Sequence, residues 1–213
     1  MRVVSVEDRD KRRAAVTLED GTSFALYRRE LTQYRIEEEA ELDAQALAEI
    51  MELLRRRAMQ RCGALLKDRD YTETALCRKL RGDGHGEETI RTVTEALKEA
   101  GDLDDLRFAE NYIRCHLADK SRMRICRDLS ARGVSGETAE QAFGNVLSGE
   151  GGEAALRERE EEQIRRLLAK RGYDPERADW KEKQKTMAFL YRRGFSQELI
   201  RHAVGGENDG IFR

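Results

Sequence analysis

A single proline, Pro175, interrupts 213 residues, so almost nothing in the chain forbids long helices. Aromatic residues are also scarce, at 6%, which argues against one large compact core and leaves few rings for stacking on bases. No apolar run approaches the ~20 residues that span a bilayer. Met1-Arg-Val-Val-Ser-Val6 leads straight into charge with no signal region, so the expected compartment is the cytoplasm, without membrane contact. Cys62, Cys77, Cys115 and Cys126 show no Cys-x-x-Cys spacing. Gly-rich phosphate loops, His-based metal motifs and nucleophile elbows are missing, and His85, His116 and His202 are scattered. No enzyme activity, metal or cofactor is expected. Cys115-His116 are neighbours that would point apart on a helix, and Asp104-Asp105 read as a helix cap. Excess charge of one sign is lacking too: the net charge of −2 argues against a protein that coats nucleic acid unaided.

What the chain does have is charge, at 38%, and apolar residues at helical spacing almost throughout, which excludes a disordered chain. It also has a repeated unit. Leu80-Arg-Gly-Asp-Gly84-His85-Gly86, Leu129-Ser-Ala-Arg-Gly133-Val134-Ser135 and Leu190-Tyr-Arg-Arg-Gly194-Phe195-Ser196 share a pattern, each followed by a Glu two places on, at 88, 137 and 198. Leu belongs to the last turn of one helix, and Gly caps that helix in the left-handed conformation. Val134 or Phe195 folds back onto the finished helix, and Ser135 or Ser196 caps the next one. The first copy is weaker, with His85 in the packing slot and Gly86 for Ser; a decayed repeat or a spacing error would each produce that. Cys77, Cys126 and Met187 fall in one slot three places before the Leu, a soft core position.

This unit organises the chain. Residues 1–57 are expected to form a small two- or three-stranded sheet and a helix. The β-prone runs are Val3–Val6, Ala14–Leu18 and Thr22–Tyr27, with Asp20-Gly21 as a hairpin signal; the helix runs from Glu37 to about Arg57, where Arg55–Arg57 read as a solvated basic turn. Three tandem three-helix repeats follow, at 58–100, 101–147 and 153–204. A flexible joint is expected at 148–152 and a loose tail at 205–213. The fold class is mainly α, and stacking of the repeats predicts an elongated curved rod, expected to be a monomer.

Charge is distributed unevenly among the repeats. Their second helices are basic: Arg78, Lys79 and Arg81 in the first, Arg122, Arg124, Arg127 and Arg132 in the second, Lys181, Lys183, Lys185, Arg192 and Arg193 in the third. The third helices of the first two repeats are acidic. Lys and Arg also suit helix surfaces and C-termini for purely structural reasons, but recurrence in three copies favours a ridge that meets an acidic partner. Sequence-specific DNA readout is not expected, because the helix after each turn is acidic or neutral where a helix-turn-helix would read bases. Phosphate contact through the basic helices stays open.

The stretch Gly101-Asp-Leu-Asp-Asp105-Leu-Arg-Phe108-Ala109-Glu-Asn-Tyr112-Ile113, followed by Arg124-Ile125-Cys-Arg-Asp-Leu129-Ser-Ala-Arg132-Gly133-Val134, resembles the central signature of the RecX family, bacterial regulators of the RecA recombinase. Met123 stands where that family often has Gly, and His85-Gly86 replaces an apolar-Ser pair. The resemblance implies three three-helix repeats and a non-enzymatic role. It implies binding along the groove of the RecA–single-stranded DNA filament, and inhibition of filament extension, ATPase, strand exchange and coprotease activity, within DNA repair, homologous recombination and the SOS response. The basic residues named above would face that filament. The alternative is a direct DNA-binding protein that competes for single strands.

Overall fold

The computed structural model describes residues 1–148 and 151–205; the expected joint at 148–152 and tail at 205–213 lie partly or almost wholly outside them. The chain divides into two compact units, Met1–Asp104 and Asp105–Arg213.

The first unit opens with β1 (Val3–Asp8), β2 (Arg13–Leu18) and β3 (Ser23–Tyr27), antiparallel in that order. Gly21 makes the second turn at φ +83°, and Asp20 Oδ1 accepts from Thr22 N–H at 2.9 Å. Val16, Leu18, Phe24 and Leu26 share a core with Ile36, Leu42, Ile50 and Leu54. A sheet of three short strands is thereby covered by a helix, which it needs to be stable.

That helix is longer than the sequence suggests. The helix expected at 37–57 and the one expected from 58 form a single α2 (Ala44–Asp68), with Asp43 Oδ1 accepting from Ala46 N–H at 2.7 Å. No proline interrupts it, and Gly63 lies in open space. The start is delayed because Arg35 and Glu39 adopt positive φ. A short α1 (Arg28–Tyr34) precedes this loop; its seven residues are too few to show a helical period. Arg55–Arg57 consequently sit within α2, not at its end. Arg57 donates to Glu30 Oε1 at 2.6 Å and lies 4.7 Å over the Tyr27 ring, while Glu30, buried at 5% exposure, accepts from Tyr27 N–H at 2.9 Å. Arg55 and Arg56 are exposed, as a solvated basic stretch should be, whereas Arg57 makes an ion pair that ties α1 to α2.

The second half of α2 packs with α3 (Glu73–Asp83) and α4 (Glu87–Glu99) around Leu76, Leu80, Ile90, Val93 and Leu97. The second unit repeats this plan twice. Helices α5 (Asp105–His116), α6 (Arg122–Ser130) and α7 (Gly136–Val146) enclose Ile113, Ile125, Leu129 and Phe143. Helices α8 (Gly152–Arg171), α9 (Trp180–Arg192) and α10 (Gln197–Val204) enclose Ile164, Leu190, Phe195 and Ile200. The expected mainly α class with a small N-terminal sheet is what the chain adopts. Half-buried Cys77, Cys126 and Met187 pack against their respective cores, as a soft core slot should.

The repeated turn has one geometry in all three copies. Gly84, Gly133 and Gly194 have φ of +94°, +89° and +85°. The next residue's N–H reaches back to the Leu carbonyl four residues before the Gly: His85 to Leu80 at 3.0 Å, Val134 to Leu129 at 3.1 Å, Phe195 to Leu190 at 3.4 Å. Ser135 and Ser196 cap α7 and α10 through Thr138 and Leu199.

Candidate interaction surface

The second unit joins its two helix triplets through backbone atoms. Ser121, buried at the start of α6, donates its hydroxyl to the Arg193 carbonyl at the end of α9 (2.9 Å) and caps its own helix through Arg124 N–H (3.3 Å). Gln163 of α8 donates to the Leu117 and Ala118 carbonyls at 3.2 and 2.9 Å. Glu160 accepts from Arg122 N–H at 2.8 Å. These contacts hold three helix ends around a cleft of about 580 Å³.

Its lining is cationic. Lys120, Arg124, Arg166, Lys170, Arg192 and Arg193 face it, against one carboxylate, Asp119. Lys120 and Arg124 are positioned by Asp128, at 2.8 and 3.2 Å; Tyr112 also donates to Asp128 at 3.0 Å, and Lys120 to Tyr112 Oη at 2.8 Å. The Lys120 bond, ahead of other causes, holds the Asp128 carboxyl below its ordinary range. Arg166 pairs with Glu162 at 3.0 Å. Lys170 and Arg192 are exposed and have no ion pair among the described residues. A cleft lined by charge of one sign raises the local potential for an anionic partner. A second groove, about 880 Å³, is lined by cations mixed with Glu158 and Glu162, so it lacks that single sign.

Of the residues expected at a partner-facing ridge, the cleft brings together Arg124, Arg192 and Arg193. Arg127 is exposed on α6 near Met123, and Arg132 lies 4.6 Å over the Tyr112 ring while donating to the Asp128 carbonyl at 2.7 Å. Lys181, Lys183 and Lys185 lie in the first half of α9, roughly 10 to 16 Å along the helix from Arg192 at 1.5 Å per residue. Arg78, Lys79 and Arg81 are exposed on α3 of the other unit, Arg81 paired with Glu87 at 2.8 Å. Arg122 departs from expectation. Its guanidinium packs 4.8 Å over Phe143 and pairs with Glu140 and Glu153 at 2.6 and 2.9 Å, which makes it a structural cation. Sequence reasoning missed Arg166 and Lys170 because α8 is rich in Glu. The signal was their i, i+4 spacing, which puts both on one face.

Burial beside Arg122 pushes the Glu160 carboxyl above its ordinary range. Ionised Glu160 therefore costs folded-state stability that accrues as pH rises through the interval between its unfolded and folded values. Glu160→Gln keeps an acceptor for Arg122 N–H and removes that cost. Thermal melts are expected to show the variant a few degrees more stable at pH 7, with the advantage gone below about pH 4.

No helix among the described residues is long and apolar enough to cross a membrane. Two family models match the chain: RecX, second three-helix domain, over residues 104–142, and RecX, third three-helix domain, over 158–204. A regulatory protein RecX from Chromohalobacter salexigens is 37% identical over 141 residues, covering 66% of this chain and 86% of that one. One from Mycobacterium sp. (strain JLS) is 32% identical over 152 residues, covering 70% and 80%. A crystal structure of regulatory protein RecX aligns over 97% of this chain and 99% of the other, with a TM-score of 0.61 at 20% identity. RecX from Lactobacillus salivarius aligns over 74% and 96%, with a TM-score of 0.56 at 21% identity. The structural likenesses concern the fold; the sequence relatives, named as regulatory proteins and not as enzymes, decide the family. The chain belongs to the RecX family.

Proposed function

We propose that this protein inhibits a RecA-type recombinase by binding the recombinase–single-stranded DNA filament, and thereby blocks filament extension, ATP hydrolysis, strand exchange and coprotease activity. Membership of the RecX family carries the proposal. The cationic cleft of the second unit supports it, because a nucleoprotein filament presents a repeating anionic surface, and fixed cations favour approach to such a surface. Arg124, Arg127, Arg192 and Arg193 would face it, joined by Lys120 and Lys170; Lys183 and Lys185 provide a second basic stretch.

The test is ATP hydrolysis by RecA on single-stranded DNA. Sub-stoichiometric protein is expected to suppress the rate and to shorten filaments; an unchanged rate and unchanged filament length would remove the proposal. The rival reading, simple competition for single-stranded DNA, is favoured by the same cleft. It requires salt-sensitive DNA binding without RecA, tight enough to explain the inhibition. Reversing Arg124 and Arg127 to Glu separates the two: inhibition that survives loss of DNA binding excludes competition.

A further inference from the structure

A different chemistry lies on the α9–α10 side of the second unit. Trp180, the single tryptophan, is 67% exposed and Tyr191 49% exposed. Residues 180, 184, 187, 188 and 191 fall on one strip of α9, following the i, i+4, i+7, i+11 rule. Beside this strip, Gln184, Met187, Ala188, Tyr191, Gln197 and Ile200 line a cavity of about 190 Å³. No charged side chain lines it. Projection of the helix at 100° per residue puts Lys181, Lys185 and Arg192 on the strip immediately alongside. All three are exposed, and none has an ion pair among the described residues.

An uncharged cavity edged by cations and flanked by exposed Trp and Tyr has the composition of a protein-binding hot spot. We propose that this groove docks an acidic protein segment that inserts one large apolar side chain between α9 and α10 and sets its carboxylates against Lys181, Lys185 and Arg192. Charge complementarity fixes the sign of the partner. The cavity fixes its class: a nucleic-acid backbone has no group to fill an apolar hole, and stacked bases need flat rings more than a recess. Met187 suits the recess to apolar side chains of differing shape. The inference does not depend on the recombinase reading: the cavity shares no lining residue with the cationic cleft, although Arg192 borders both, and its test contains no RecA.

Trp180 is the reporter. The full chain is titrated with a synthetic peptide of Glu and Ala carrying one central Phe, and the tryptophan emission is followed. A saturable blue shift is expected, with a dissociation constant on the order of 10–100 µM. Replacing the peptide's Phe by Ser, or making Tyr191→Ser in the protein, is expected to weaken binding at least about tenfold. The double variant Lys181→Glu/Lys185→Glu should do the same, and high salt should weaken the wild type. Far-ultraviolet circular dichroism checks that each variant is folded. The proposal is overturned by the absence of a saturable shift, or by equal binding of the Ser peptide. It is also overturned if an oligothymidylate gives the shift and Tyr191→Ser abolishes it, which would make the face a base-stacking platform. Binding that emerges only after deletion of residues 206–213 would assign the groove to the chain's own C-terminal segment, and so also overturns a partner in trans.

Discussion

Valine in place of Gly194 is expected to remove a third or more of the stability of the second unit. Two costs combine. Gly194 holds φ +85°, a region that a β-branched residue enters at ~1–3 kcal/mol. A Cβ there would stand 2.8 Å from Ser121 Oγ and 3.0 Å from the Arg124 backbone nitrogen. Neither contact is a flexible side-chain end: Ser121 is buried, caps α6 and bonds the Arg193 carbonyl. Relief therefore requires moving one helix end away from the other, at a further ~1–3 kcal/mol, together with ~1 kcal/mol for the lost cap. A total near 5 kcal/mol compares with ~5–15 kcal/mol for a whole domain. Denaturant titration measures it, and Gly172 supplies the control. It also has positive φ, +65°, but nothing lies within 4 Å of its added Cβ. Gly172→Ala carries the dihedral cost alone, so equal losses for Gly172→Ala and Gly194→Ala would disprove the close approach.

The glycine of the repeated turn was legible because a left-handed cap leaves a local signature: Leu before it, an apolar residue after it, Ser to start again. What meets the turn is not local and could not be read. Gly86 shows this best. It breaks the Ser pattern, yet a Cβ there would come 2.5 Å from the Ser23 carbonyl of β3. At Gly84 a Cβ would come 2.8 Å from Ala25 Cβ, and Ala25 N–H donates to the Gly84 carbonyl at 3.0 Å. The first copy is thus fitted to the sheet that packs on it, as the third is fitted to α6. Half-buried His85 fills its slot while its Nδ1 has no hydrogen-bond partner among the described residues, and burial depresses its proton affinity. The candidate surface follows the same logic. Net charge along α6 and α9 was visible in the sequence. The partition of those cations was not: Arg122 is spent on Glu140 and Glu153, Lys120 and Arg124 on Asp128, and Arg166 and Lys170 arrive from a helix whose total charge hides them.

That partition makes one pair of cations the decisive test of function. Lys170→Glu with Arg192→Glu is expected to reduce affinity for a RecA–DNA filament about 100-fold or more while leaving the fold intact. Both side chains are exposed and unpaired among the described residues, so their reversal breaks no ion pair, and surface substitutions of this kind stay within about 0.5 kcal/mol of neutral. Binding feels them far more. Each replaces an attraction with a repulsion inside a trough where Lys120, Arg124 and Arg193 already add to the potential. If each cation meets a phosphate, the slope of log affinity against log salt should also fall by about one per residue. Inhibition of filament ATPase, followed across salt concentrations, reads both effects. Reversing Lys79 in the other unit, equally exposed and without an ion pair among the described residues, changes net charge in the same sense without touching the cleft. Equal loss from Lys79→Glu and from Lys170→Glu alone would mean that overall charge drives binding; a loss confined to the cleft would assign recognition to the surface that Ser121, Gln163 and Glu160 hold in place.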